Sequence, residues 1–332
     1  MLSKIFRNRN FILILAIVIG LTVGENGAVL TRPVVLPVLA LIMTLSTTTI
    51  TSREFSSIKT MPGSILIALL LNYVVTGGLI LLMGSWLIDD SELWTGLVVI
   101  AAVPPAIAAV PWTYLLGGNT LFSLVSLTVT YLAALVLTPA MIIIFLGVGS
   151  IEPRELLLIL GELILIPLVA SRLLISTGLA RRIDKWRGTI VNWGFFIVIF
   201  TVIGLNRQAF FGEFDTLLKL AIIAIVTSFG LSYAIELIFG AFHVRRETII
   251  SLIFVGTMKN FGMASGILLT LFSERAAIPT SIMIVFFISR SLWLGFRLKK
   301  NNLMFVEWQV KKKHIYYRGN STSYCYFISR ST

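Results

Sequence analysis

The sequence predicts an all-α polytopic membrane protein: ten transmembrane helices arranged as two inverted five-helix repeats. Three observations lead there. Apolar runs of about 20 residues recur along the chain, the length that a ~30 Å hydrocarbon core demands. Only 13% of the residues are charged and mean hydropathy is +0.95, whereas ordinary soluble proteins are about 25% charged. Two of the runs are interrupted near their middles, roughly 150 residues apart, and paired interruptions are the sequence pointer to a secondary transporter built from inverted repeats.

The spans, in order, are 11–24, 33–51, 62–88, 94–117, 120–147, 156–175, 189–206, 216–241, 248–272 and 276–297. The first follows Lys4, Arg7 and Arg9. It resembles a signal peptide, but no small-x-small cleavage site of the expected kind follows, so it reads as a membrane helix. In the fourth span, Pro104, Pro105 and Pro111 fall where a helix needs backbone donors, and no continuous helix passes through them. Irregular backbone at that depth is tolerated only where it is buried in protein or lines a wet cavity. The ninth span is interrupted at Gly256-Thr257-Met258-Lys259-Asn260-Phe261-Gly262. The segments divide as a cytoplasmic N-terminus (1–10), a first repeat (11–147), a second, inverted repeat (148–297) and a basic cytoplasmic tail without helical periodicity (298–332).

Lys and Arg set the orientation. Lys4, Arg7, Arg9, Arg53, Lys59, Arg172, Arg181, Arg182, Lys185, Arg187, Arg245, Arg246, Arg297, Lys299 and Lys300 fall on one side. Arg32, Arg154, Arg207 and Arg275, with Asp89, Asp90 and Glu92, fall on the other. The positive-inside rule places both termini in the cytoplasm, with the plasma membrane as the expected location. The same distribution explains the net charge of +12 without nucleic acid as a partner. A lone cysteine and two distant histidines offer no metal cluster, and no nucleotide-binding or hydrolase motif is present, so neither a cofactor nor enzymatic activity is expected.

Lys259 is the leading candidate for function. It lies too deep in its span to snorkel easily, and a buried ammonium costs several kcal/mol unless paired, wet or deprotonated. Glu162, inside the sixth span, is its expected partner or competitor, and proton carriage and a plain helix-packing hydrogen bond fit it equally. Glu236 and Arg290 lie nearer span ends, where snorkelling reaches water. Asn260, Thr257, Thr113, Asn72, Asn119, Ser123 and the run Ser46-Thr47-Thr48-Thr49 supply neutral polar groups, although hydroxyls in membrane helices often bond back to their own carbonyls.

At the two interruptions the chain resembles the bile acid:sodium symporter family, distantly related to arsenite efflux carriers. Pro104 to Asn119 with Ser123 and Thr138-Pro139 is similar to that family's fourth and fifth helices. Lys259-Asn260-x-Gly262-Met263-Ala264 is similar to its ninth-helix Gln-Asn-x-Gly-Leu-Ala motif. The resemblance implies a panel domain (spans one, two, six and seven), a core domain whose unwound fourth and ninth helices cross, and an organic anion bound between the two. It also implies departures. Ala109 and Val110 stand where the family has a Ser-Asn sodium-ligand pair, Val255 for its glutamate, Lys259 for its glutamine, Asn72 for a third-helix glutamine and Leu127 for a fifth-helix threonine, with Thr128 adjacent. Alanine and valine offer no side-chain oxygen to a hard cation. The expected function is therefore organic-anion transport coupled to H⁺ or uncoupled, with Na⁺ coupling through altered sites, or a non-transporting sensor, as alternatives.

Overall fold

The computed structural model describes residues 8–49, 61–147, 149 and 152–297. Lys4, Arg7, Arg53, Lys59 and the tail 298–332 lie outside them. Helix α1 (Arg9–Val23) starts behind Asn8, whose side chain accepts from the N–H groups of Asn10 and Phe11. It ends at Gly24, where φ of +72° turns the chain. The span boundaries leave residues 25–32 as a connection, but α2 (Glu25–Thr31) forms there and runs through a 3₁₀ turn (Arg32–Val34) into α3 (Val35–Thr47). Pro33 lies within the first two positions of that turn, where its missing N–H costs nothing. The absence of a side chain on Gly204 lets α2 seat closely, since a Cβ there would lie 2.7 Å from Ala28 Cβ.

Helix α4 runs as Pro62–Leu69, a π-helical stretch Leu70–Gly77, and Gly78–Leu87. The fourth span is in two pieces, α5 (Ser91–Ala102) and α6 (Ala109–Leu115), followed by α7 (Thr120–Leu146). Helix α8 comprises Pro153–Leu160, a π stretch Gly161–Leu165, and Ile166–Ser176. Then come α9 (Leu179–Leu205), the short α10 (Arg207–Gly212), and α11, made of Phe214–Ile225, a π stretch Val226–Gly230 and Leu231–Ala241. The ninth span is also in two pieces, α12 (Arg246–Thr257) and α13 (Phe261–Leu271), and α14 is the apolar run Arg275–Arg297.

Among the described residues, seven helices are long and apolar enough to cross a membrane, three shorter helices are apolar, and no strand forms. The chain is a multi-pass membrane protein. Helix α9 packs along α1, α2 and α3, and the second half of α8 lies against α3. In a second group, α5 and α12 each pack against α7 and against the π stretch of α4.

On the face carrying the N-terminus of α5, Arg275 bridges Asp90 (2.8 Å) and Glu213 (2.9 Å), and Arg32 pairs with Glu274. Burial pushes the Asp90 carboxyl up, but the Leu93 N–H and the Arg275 guanidinium more than offset this and hold it below its ordinary value. By contact the chain divides into Met1–Arg290 and Ser291–Thr332. The described residues of the second unit, 291–297, are helical.

Candidate functional site

A helix that stops inside a membrane protein leaves its last carbonyls without intrahelical donors, and both broken spans stop in this way. The two gaps solve the problem together. Residues 103–108 and 258–260 meet as a short antiparallel bridge centred on Pro105 and Lys259. The Ala106 N–H donates to Met258 O at 2.9 Å, and the Asn260 N–H donates to Pro104 O at 3.0 Å. Pro104 and Pro105 have no N–H to leave unsatisfied, and Pro111 sits in the first turn of α6, where none is needed.

Side chains satisfy several of the remaining carbonyls. Lys259 Nζ lies within donating distance of Ala101 O (2.8 Å), Val103 O (3.1 Å) and Asn72 Oδ1 (2.9 Å), three acceptors to match the three protons of an ammonium. It is 1% exposed, and the Tyr73 ring lies 5.0 Å from it. Thr138 caps Ala102 O at 2.8 Å. At the end of α12, Asn72 Nδ2 donates to Val255 O (3.3 Å) and Thr76 to Gly256 O (2.8 Å). The π stretch of α4 carries both Asn72 and Thr76, and such bulges recur at functional sites because they re-aim side chains out of helical register. Asn260 caps α13 by accepting from the Met263 N–H and donates to the Tyr131 hydroxyl at 2.8 Å. The positive end of Lys259 therefore faces the C-terminal, negative end of the α5 dipole.

A second buried cation sits nearby. Arg290 is fully buried rather than snorkelling, and its Nη1 donates to Ser232 Oγ and to Thr257 Oγ1, on the last residue of α12. Its guanidinium rests 4.7 Å from the Phe287 ring and 5.4 Å from Phe254.

The other expected site residues fall in three places. Thr113 and Ser123 share a hydrogen bond at 3.0 Å, while Asn119 donates its N–H to Glu247 O and accepts from Ser251 at its carbonyl. These residues clasp the far end of α6 to α7 and α12, away from the crossing. Ser46, Thr47 and Pro111 line a cavity of about 520 Å³ between the α3–α9 side and the α6–α7 side. Thr47 and Thr48 bond back to Met43 O and Leu45 O, as hydroxyls in apolar helices do. Glu162 lies on the exposed face of the α8 π stretch and joins neither the crossing nor the cavity.

The cavity also contains Arg9, Arg187 and Asn192; in the sequence the two arginines read only as topology charges, and Asn192 carries no signal. Ile107, in the first gap, lines it too, and a smaller cavity joins Ile107 to Tyr131, the partner of Asn260. Cavity and crossing are thus adjacent.

Residues 36–220 match the model of the Sodium Bile acid symporter family, more than half the chain and inclusive of the first gap. The chain belongs to that family. A search of curated proteins returned no match. The bile acid symporter match stops before the second gap, so Lys259 and its neighbours stand outside it and rest on the geometry above. Within the matched part, Ala109 and Val110 stand at the start of α6, and neither brings a side-chain oxygen to it.

Proposed function

We propose that this bile acid symporter family member is a secondary transporter that moves a small organic anion across the plasma membrane by alternating access. In it the Lys259 ammonium stands permanently where relatives place a transported sodium ion. One observation carries the reading: Nζ is held by two backbone carbonyls and an amide oxygen at 2.8–3.1 Å, a hard-oxygen cradle filled by the chain's own cation. With all three protons committed, Lys259 holds the crossing together and leaves the substrate's charge to be met elsewhere. A carrier built this way needs no sodium gradient and runs on protons, exchange or the substrate's own gradient.

The larger architecture follows the same reading. Counting α2–α3, α5–α6, α10–α11 and α12–α13 as single crossings gives ten, five in 11–147 and five in 148–297. Odd-numbered halves in succession are inverted, and both termini then face the cytoplasm. Helices α1, α2–α3, α8 and α9 form the panel and the rest form the core, with the 520 Å³ cavity in the crevice between them.

Substrate-driven counterflow in proteoliposomes tests the transport claim. Accumulation of labelled anion against an internal pool of the same anion is expected, and its absence across a broad panel of organic anions would favour the sensory alternative.

Alternating access requires the opposite face to be closed when the cavity is open. The Arg32–Glu274 pair joins a panel element to a core element there, and Arg32 also donates to Leu269 O at 3.3 Å. Both side chains are 40% exposed, so the pair contributes at most about 1 kcal/mol and can act as a breakable latch. Glu274→Gln is expected to raise thiol labelling of a Leu36→Cys probe, beside Arg32, by about threefold with thermal stability nearly unchanged. Unchanged labelling would remove the latch from the account.

A further inference from the structure

The cavity between α3, α6, α7 and α9 is lined mainly by apolar side chains, among them Leu124, Leu127, Val191 and Phe195. Into this apolar chamber the chain sends two arginines and, among the described lining residues, no carboxylate. The two arginines differ in their commitments. Arg187 is paired with Asp184 one turn earlier on α9, at 2.7 Å. Arg9 has no ion pair among the described residues, and its Nε is buried without a hydrogen-bond partner. Its guanidinium carbon lies 5.2 Å from the centroid of the Trp112 ring, a buried residue of α6 behind the cavity wall.

Arg9 is also costly where it stands. It is the first residue of α1, at the positive end of that helix's dipole, where an acidic residue would be favoured. A cation in that place, with an unused donor facing an apolar chamber, has its electrostatics completed by an anion. A guanidinium presents a planar donor fork that fits a carboxylate or sulfonate through two parallel hydrogen bonds. A volume of about 520 Å³ lies within the range of small-molecule sites.

Building on the transport reading above, we propose that Arg9 is the specificity-determining residue of the substrate site. Its guanidinium, backed by the Trp112 ring, grips the head of an amphipathic monoanion while the apolar wall takes the ligand's body. Because Arg187 is paired with Asp184, Arg9 is the one unpaired cation among the described lining residues, and the site selects one negative charge. The N-terminal helix therefore belongs to substrate recognition, and not to anchoring alone.

The test uses the full chain in lipid nanodiscs and three probes of matched shape: 2-naphthoate, 2-naphthalenemethanol and 2,6-naphthalenedicarboxylate. Wild type is expected to bind the monoanion about tenfold more tightly than the alcohol, the worth of one charge-assisted hydrogen bond, and to show no preference for the dianion. Arg9→Gln should bring naphthoate affinity down to that of the alcohol and leave the alcohol unchanged. Asp184→Asn, which frees Arg187, should shift preference toward the dianion. Equal affinity of wild type for naphthoate and the alcohol, no binding of any probe, or an Arg9→Gln variant that keeps the naphthoate preference would each overturn the proposal. Binding that follows this pattern in a protein failing the counterflow assay would leave Arg9 recognition standing and remove the transport reading.

Discussion

Lys259→Met is expected to lower the apparent Tm by roughly 6 °C and to abolish transport. The side chain it removes satisfies Ala101 O, Val103 O and Asn72 Oδ1 in the interior. Each orphaned acceptor costs about 1–3 kcal/mol, and relief from burying an ammonium returns part of that. A net loss of about 3 kcal/mol, at roughly 2 °C per kcal/mol for a chain of this size, gives the stated shift. Lys259→Gln is more informative. Its amide oxygen would join the same three oxygens with no resident positive charge, leaving four oxygen ligands and an empty cradle. Sodium, but not choline, is expected to raise the Tm of that variant and to restore part of its transport. Differential scanning fluorimetry in each salt reads this directly. A Lys259→Gln protein as stable as wild type in sodium-free buffer would mean that the ammonium does not hold the crossing.

Gly96→Ala is expected to be nearly as damaging, for a purely steric reason. A Cβ at Gly96 would lie 2.1 Å from Ala276 O and 2.9 Å from Pro279 Cγ. The obstacle is backbone at the start of α14, so no rotamer change relieves it. Helix α5 must move away, and with it the Ala101 and Val103 carbonyls that Lys259 caps. Overpacking typically costs 1–3 kcal/mol, and a contact with backbone puts this one at about 3 kcal/mol or more. Gly78→Ala, on α4, is the control, since a Cβ added there would meet nothing within 4 Å. It removes a helix-interior glycine and should be neutral or stabilise by up to about 1 kcal/mol. Thermal shifts of equal size in the two variants would contradict the packing described here.

The two interruptions are legible in the sequence because proline and mid-span polarity leave signatures that no helix can hide. Pro104, Pro105 and Lys259 mark the two breaks, the family resemblance implies that they cross, and they meet in one bridge. Lys259 stands out by depth alone. Its partner Asn72 is among the polar groups the sequence offers, but other residues of the crossing are hidden, because Thr76 and Thr138 look, in sequence, like any threonine bonding back to its own helix, and Tyr131 like any packing aromatic. What distinguishes them is a π stretch and a neighbouring helix end, which are tertiary facts. Thr113 and Ser123 are buried, and Asn119, half-buried, caps α7, but all three clasp the far end of α6. Glu162 shows the converse: a carboxylate among leucines reads as buried, yet the π stretch of α8 leaves it on an exposed face. Arg9 and Arg187 carry two meanings, topology charge and cavity wall, and only the first can be read from loop position. Arg290 misleads for a similar reason. Its place near a span end suggests an exit to water, but Ser232 and Thr257 hold its head inside.

The most direct test of the central claim is the sodium dependence of the unaltered protein. Initial uptake of an organic anion into proteoliposomes should be measured with an inward Na⁺ gradient and with Na⁺ replaced throughout by choline, at fixed pH and clamped membrane potential. Because Lys259 already fills the cradle, the two rates are expected to agree, and sodium is expected to leave the Tm of wild type unchanged. Uptake that collapses when sodium is withdrawn would contradict the account.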